Sequence, residues 1–370
     1  MKISITGGDG FIGSHLSNTI KYKYKEIELL PFKKSFFTNK DSLDKLIGEI
    51  DVLIHLAGIN RHDDPDYLYK HNTELCHKIV ESIKRTNFSG KIIFASSTQE
   101  KLDSAYGKAK KNSREMFTKA SKTLGFSFLG LIIPNVFGPF CKPNYNSFIS
   151  TFCNNTILNK QNIIKKNNKI PLIYINNVIE IIINKIYSKN QIKEVLKEDV
   201  LISVSDVKDL IDSYYSIYYR KGIIPRFNSE FQLNLFNTFN SFILLDQYYP
   251  KQLNQKSDNR GIFSEVVRSN MLGQYSYSIT NPGEVRGNHF HTRKIERFAV
   301  ISGNAIIELR KIGTTKKITF NIKGETPCYV DMPIWHTHNI KNVGETPLIT
   351  LFWINEFYNE DDSDTFFEKV

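Results

Sequence analysis

The sequence predicts two folds in tandem: a doubly wound parallel α/β sheet with a substrate subdomain over residues 1–245, then a small all-β barrel over residues 246–370. Three observations predict it. A β-branched strand, a glycine turn and a helix open the chain. Apolar strands then alternate with helical stretches. From about residue 246, short strands follow one another between Gly, Asn and Pro turns. A length of 370 residues is enough to bury two cores of ordinary size, and 41% hydrophobic with 24% charged residues excludes a disordered or fibrous chain.

Lys plus Arg outnumber Asp plus Glu by 49 to 38, a net charge of +11. Such an excess suits nucleic acid, an anionic membrane or a phosphorylated metabolite. Here, however, the lysines run together with Ile and Asn, as in KKNNKI and IIINKI, which biased composition explains without a basic patch. Neither nucleic acid nor a membrane is expected as a partner. Cys76, Cys141, Cys153 and Cys328 stand far apart with no CxxC pair, against a disulfide framework or a thiolate zinc site. The first residues read as a strand rather than as a basic stretch and an apolar run, so no secretion signal is expected. The most apolar segment, GFSFLGLIIPNVFGPF, is broken by Gly and Pro and shorter than the roughly 18 residues a span needs. A cytoplasmic location is expected.

Lys2 to Thr6 reads as the first strand, and Gly7, Gly8, Asp9 and Gly10 interrupt it before Phe11, Ile12 and Gly13 begin a helix. Gly7 allows the turn, Gly10 lets backbone amides approach a diphosphate, and Gly13 lets the helix pack close to the strand. The same turn without a nucleotide is the plain alternative. A second apolar stretch, Ile27 to Phe32, ends where a dinucleotide fold places an acidic residue for the ribose; this chain has Lys33 and Lys34. Two cations there suit the extra phosphate of NADP, although solvated lysines in a lysine-rich chain read nearly as well. Asp51 to Leu56 forms the next strand, and Ala57 and Gly58 are small enough to admit a cofactor beside Leu56.

The strand in KIIFASST places Ser96 and Ser97 at its carboxyl end, where ligands sit in open α/β sheets. Tyr106 and Lys110, four apart in the helical segment AYGKAKKNSREMF, share a helix face. An ammonium beside the phenol is expected to lower its pKa toward neutrality, so that it exchanges the proton accompanying hydride transfer, with a Ser hydroxyl on the same carbonyl oxygen. Alone, such a pair is ordinarily a solvated helix surface. The run CKPNYNSFISTFC, in the segment 139–245 that is expected to supply the remaining helices and the substrate subdomain, reads equally as a pocket lining or as a capped turn into a helix.

In the second half, YSYSIT, ERFAVIS, NAIIELR and TPLITLFWI read as strands. Gly283, His289, His291, Glu296 and Gly303 follow the order GxxxxxHxHxxxxExxxxxxG, with His338 some forty residues later. Residues two apart on a strand share a face, so His289 and His291 can both point inward, with Glu296 and His338 closing a coordination set. Three imidazoles and a carboxylate suit Zn, and almost as well Fe, Mn or Ni.

TGGDGFIG, HLAG, SS and YGKAK together resemble the extended short-chain dehydrogenase/reductase family, whose Rossmann-type domains act largely on nucleotide sugars. The resemblance gives Ser97, Tyr106 and Lys110 the catalytic roles, makes Asn72 the support of the proton relay, and sets Asn135 of PNVFGP in the substrate loop; Ile132 stands where relatives often carry Arg. Gly7, Gly10, Phe11, Ile12, Gly13, Lys33, Lys34, Leu56, Ala57, Gly58, Asn72, Ser96, Tyr106, Lys110 and Asn135 are then the expected NADPH contacts. The second half resembles a jelly-roll cupin with His289, His291, Glu296 and His338 as metal ligands. It departs from that family in PIWHTHNIKN, with Trp335 where Gly is usual and His336 as an alternative ligand.

The order of the two motif sets, with CKPNYNS, DNRG, GNHFHTRKIERF and HTHNIKN, resembles two-domain capsular polysaccharide enzymes that make UDP-N-acetyl-L-fucosamine precursors. That resemblance implies epimerisation at carbon 3 of a UDP-2-acetamido-2,6-dideoxy-4-ketohexose in the barrel, NADPH reduction of the 4-keto group to the L-talose sugar in the first domain, and a homodimer through the cupin. The base for epimerisation is open among His336, Tyr275, Tyr277 and Lys294. A one-step reductase with the barrel as a binding and dimerisation module is the alternative.

Overall fold

The computed structural model describes residues 1–188, 192–259, 261–271 and 273–370. It divides into two compact units, Met1–Phe152 with Ile163–Val207, and Cys153–Asn162 with Lys208–Val370. Arg260 of the DNRG motif lies outside the described residues.

The first unit alternates β1 (Lys2–Thr6), α1 (Phe11–Lys23), β2 (Glu28–Leu30), α2 (Lys40–Glu49), β3 (Val52–His55), α3 (Pro65–Thr86), β4 (Lys91–Ser97), α4 (Ala105–Leu124) and β5 (Ser127–Ile133). Its sheet runs β2, β1, β3, β4, β5 and then Lys193–Val195, all parallel. A parallel sheet is covered on both faces by its crossover helices, so its strands read as continuous apolar runs; β4 and β5 are buried along nearly their whole length. Leu46 and Ile47 of α2, Leu75, Ile79 and Ile83 of α3 and Phe117 of α4 pack with Ile92, Phe94 and Phe128 into one core. Local chemistry sets the helix ends. Asp64 caps α3 by accepting from the N–H groups of Asp66 and Tyr67, and Pro65 opens its first turn. Ser104 caps α4, which stops at Gly125 with φ +80°.

β2 lies on one side of β1 and β3 on the other, so the strand order reverses at β1. At such a reversal the crossover helices leave to opposite faces and a crevice opens past the carboxyl ends of the two strands. Those ends are Gly7 and Leu56 to Gly58. Beyond β5, Asn135–Phe137, Lys169–Tyr174 and Val200–Ser203 form a small separate sheet.

The second unit holds two five-stranded antiparallel sheets, the jelly-roll arrangement. One runs Lys251–Gln252, Cys328–Met332, Glu296–Ser302, Leu348–Ile354, Gln274–Thr280; the other runs Lys317–Lys323, Asn304–Lys311, His336–Asn342, Val285–Phe290, Phe366–Phe367. The packing boundary falls at Val207 and Lys208, while the strands of this unit begin near the change of texture at residue 246. A buried polar network ties the helical residues after 208 to the first of these sheets. Arg297 donates two hydrogen bonds to Asp331, at 2.6 and 2.8 Å, and a third to Gly222 O at 3.0 Å, while the Tyr218 hydroxyl donates to Asp331 at 2.6 Å. Both charges are almost wholly buried, and each satisfies the other; removing one partner of such a pair costs about 3–5 kcal/mol.

Candidate active site and candidate metal centre

The turn after β1 fits a diphosphate. Gly7 has φ +72°, and a Cβ there would lie 2.9 Å from Ala57 N, so only glycine lets β1 and β3 approach. A Cβ on Gly13 would lie 2.1 Å from Gly7 O, and one on Gly10 would lie 3.1 Å from it. Gly10 caps α1 without a side-chain bond, and the first turn of α1 carries no acidic residue. Its first amides and positive dipole end are therefore left without a side-chain cap. Phe11 and Ile12 are half-buried at this turn, and Phe11 stands edge-on to His15 at 5.5 Å.

Leu56 donates to Thr6 O at 3.2 Å and Ala57 to Thr6 Oγ1 at 3.1 Å, which holds the end of β3 against β1. Thr6 is fixed in turn by the buried His55, whose other ring nitrogen meets Cys76 Sγ at 3.3 Å; burial, with Lys110 nearby, pushes the His55 pKa down to about 3. This support under the crevice has no motif spacing and was not legible in the sequence.

Asn72, Gly58 and Lys110 come together. Asn72 is buried; its Oδ1 accepts from Ile59 N–H and its Nδ2 donates to Ile59 O, both at 2.9 Å. A Cβ on Gly58 would lie 2.7 Å from Asn72 Oδ1 and 4.0 Å from Lys110 Nζ, so glycine makes the node possible. Lys110 is buried and donates to Ala95 O at 2.8 Å, with Nζ 5.8 Å from the centre of the Tyr106 ring one turn earlier. The expectation of a lowered phenol pKa is corrected: burial pushes Tyr106 up to about 12, with the neighbouring Tyr145 phenol adding to it. Desolvation is the larger effect here, and burial brings Lys110 itself down to about 8.

Ser96 and Ser97 part company. Ser96 donates to Glu100 at 2.9 Å, inside an ion pair that Arg114 makes with Glu100 at 2.9 Å. Ser97 is half-buried at the end of β4, its Oγ accepting from Gln99 N–H at 3.2 Å. Lys33 and Lys34 are exposed just past β2, and Asn135 is exposed with its amide donating to Pro171 O at 3.2 Å. Ile132 is buried inside β5. The CKPNYNS stretch is a turn into the helix Phe148–Ile157, with Ser147 Oγ accepting from Ser150 N–H. It also carries Tyr145, whose hydroxyl accepts from Asn60 N–H at 3.4 Å.

In the second unit His289, His291, Glu296 and His338 converge, their ligand atoms all within 4.8 Å of one another. Glu296 Oε2 lies 3.2 Å from His291 Nε2 and 3.1 Å from His338 Nε2. These are close approaches rather than aligned hydrogen bonds: all three atoms are buried and lack a hydrogen-bond partner. Buried polar atoms aimed at one point and left unsatisfied are what a cation would complete. The opposite ring nitrogens are held by the backbone, Nδ1 of His291 by Asp364 O at 2.7 Å and Nδ1 of His338 by His336 O at 3.2 Å. Burial pushes His289 down to about 4, keeping a neutral imidazole; burial opposes ionisation of Glu296, yet contact with His291 and His338 holds it well below the usual carboxylate range.

A β-bulge aims the set. The register between Val285–Phe290 and His336–Asn342 shifts between Gly287 and His289, with Gly287 at φ +98°, and brings His289 opposite His338. His336 stays outside the cluster, its Nδ1 3.1 Å from Ile334 O. Trp335, at the position where glycine is usual, does adopt φ +60°, and its ring stacks on Phe290 at 5.5 Å. Two of the four candidate bases are corrected. Glu296 and Gln274 both pair with Ile354, so they share a sheet face, and Tyr275 and Tyr277 point to the other. Lys294 is tied to Ser363 O at 2.8 Å.

Comparison with known proteins agrees with both halves. Residues 3–195 match the NAD dependent epimerase/dehydratase family and residues 256–366 the polysaccharide biosynthesis C-terminal domain. A UDP-2-acetamido-2,6-beta-L-arabino-hexul-4-ose reductase of Pseudomonas aeruginosa is 31% identical over 373 residues, covering 99% of this chain and 98% of that protein. The crystal structure of the capsular polysaccharide assembling protein CapF from Staphylococcus aureus matches over 100% of both chains, with 27% identity and a TM-score of 0.64. RMD from Pseudomonas aeruginosa, complexed with NADPH, shares the fold over 58% of this chain and 85% of its own, at 18% identity and a TM-score of 0.53. With its glycine turn, its Asn72, Gly58 and Lys110 node and a family match that spans more than half its length, the chain belongs to the NAD dependent epimerase/dehydratase family, here followed by a polysaccharide biosynthesis C-terminal domain.

Proposed function

We propose that this chain is a bifunctional nucleotide-sugar enzyme: its β unit epimerises carbon 3 of a UDP-2-acetamido-2,6-dideoxy-4-ketohexose, and its α/β unit reduces the 4-keto group with NADPH to UDP-2-acetamido-2,6-dideoxy-L-talose, a precursor of UDP-N-acetyl-L-fucosamine. The observation that carries the reading is the node of Asn72, Gly58 and Lys110 one helical turn from Tyr106, beside the crevice at which the strand order reverses. The name of the Pseudomonas aeruginosa relative supports the substrate class.

Bound NADPH supplies the hydride. Tyr106, kept protonated by burial, holds the proton that the sugar oxygen receives. Lys110, anchored on Ala95 O, offers the charge that stabilises the phenolate left behind, and Asn72 keeps the loop after β3 in place beside it. Ser97 orients the carbonyl oxygen from the end of β4. Lys33 and Lys34, exposed past β2, take the 2′-phosphate side of the cofactor.

In the β unit, His289, His291, Glu296 and His338 hold a divalent cation, zinc by its fit to imidazole and carboxylate donors, whose Lewis acidity serves a sugar carbonyl. A ketone at carbon 4 acidifies the neighbouring C–H bond, and His336, two residues from His338 on the same strand, would be the candidate base. Self-association through the β unit completes the proposal. The test is to incubate the purified chain with the 4-ketohexose nucleotide in deuterated water, with and without NADPH, and follow the sugar by NMR. Deuterium at carbon 3 without NADPH and a reduced, inverted sugar with it are expected; a reduced sugar that never exchanges at carbon 3 would leave only a one-step reductase.

A further inference from the structure

We propose that the segment Ser363–Glu368 is a latch for the metal centre, with Asp364 as a positioning residue: its carboxylate gathers the turn after His291 while its main-chain oxygen fixes the His291 ring. The inference rests on the reading of the histidine and glutamate cluster as a metal site. Asp364 is buried, and it adopts φ +43°, a left-handed conformation uncommon outside glycine. Its carboxylate accepts from the Thr292 hydroxyl at 2.6 Å and from the N–H groups of Thr292, Arg293 and Lys294 at 3.1, 2.9 and 3.2 Å. Four donors converge on one buried carboxylate, which offsets its desolvation and leaves the turn one shape.

The backbone of the same residue acts on a ligand. A carbonyl oxygen only accepts, so the 2.7 Å contact from His291 Nδ1 to Asp364 O requires the proton on Nδ1 and leaves the Nε2 lone pair toward Glu296 and the other histidines. The rest of the latch reaches the other two histidines. Phe367 and Phe366 pair with His289 and Phe290, Glu368 N–H donates to Asn288 O at 2.9 Å, and the Thr337 hydroxyl, one residue before His338, donates to Glu368 O. Phe367 is 72% exposed and Phe366 packs on Phe290 at 5.3 Å, so one aromatic contact stands beside polar ties directed at the ligand strands.

The full-length chain is stripped with a chelator and titrated with zinc against a chromophoric chelator, then with cobalt(II) to read its d–d absorption. Asp364→Asn is expected to weaken zinc by about 10- to 100-fold and to alter the cobalt band, as loss of a partner that orients a ligand does. Thr292→Val removes one of the four donors, should lose less, and carries the test if Asp364→Asn does not fold. Asp361→Asn, at an exposed neighbour, should leave both readouts unchanged. Wild-type affinity and spectrum in Asp364→Asn and Thr292→Val, or an equal loss in Asp361→Asn, would overturn the latch while sparing the metal site. A wild-type chain that binds neither metal would overturn both.

Discussion

Tyr106 shows how a single residue depends on its surroundings. Sequence spacing places it one turn from an ammonium, and that alone argues for an acidified phenol. In the folded chain burial wins and pushes the phenol up to about 12, so Tyr106 keeps its proton through the neutral range. Tyr106→Phe removes that proton and little else from the crevice. Ketone reduction should fall by about 10²- to 10⁴-fold while the NADPH dissociation constant, read by fluorescence titration, stays within a factor of about two. Near-normal reduction by the variant would refute the assignment. Ser96 carries the opposite lesson. It looks equivalent to Ser97 in the sequence, yet alternation along β4 sends it to Glu100, which pairs in turn with Arg114.

At the scale of the element, the proposed metal set depends on a defect in a strand. Without the bulge at Gly287, His289 would fall out of register with His338. Gly287→Ala would place a Cβ 2.7 Å from His338 O on a backbone at φ +98°, straining both strands that carry ligands by about 1–2 kcal/mol. The variant should retain its fold by far-UV circular dichroism but bind zinc at least about tenfold more weakly in chelator competition, since orienting a ligand is worth that much. Zinc affinity equal to wild type would show that the bulge does not aim His289. Trp335 is the instructive exception: the left-handed backbone that favours glycine is kept, and stacking on Phe290 offsets its strain.

For the whole molecule, each unit buries a core and carries a candidate site of its own, and no helix among the described residues is long and apolar enough to cross a membrane. The proposed dimer belongs at this scale. Gln274–Thr280 is an edge strand that turns Tyr275, Tyr277 and Ile279 outward, at 59%, 69% and 53% exposure. An apolar row on an open sheet edge favours pairing with another chain. Tyr277→Glu should therefore shift sedimentation velocity from dimer to monomer while zinc affinity is retained. A wild-type chain that sediments as a monomer at every concentration would end that proposal.

What the amino-acid order determines unaided is whatever short-range spacing dictates: the strand, glycine turn and helix at the start, the pairing of Tyr106 with Lys110 on one face of α4, and the His-x-His step that puts two imidazoles on one side of a strand. These follow from backbone periods and from the conformational freedom of glycine, which act over a few residues. The choice of His338 over His336, the support of Asn72 against Gly58, the protonated phenol of Tyr106 and the grip of Asp364 on His291, 73 positions away, come only with folding. Register, desolvation and the placement of a carbonyl oxygen are properties of neighbours in space, and no local pattern encodes which distant segment will supply them.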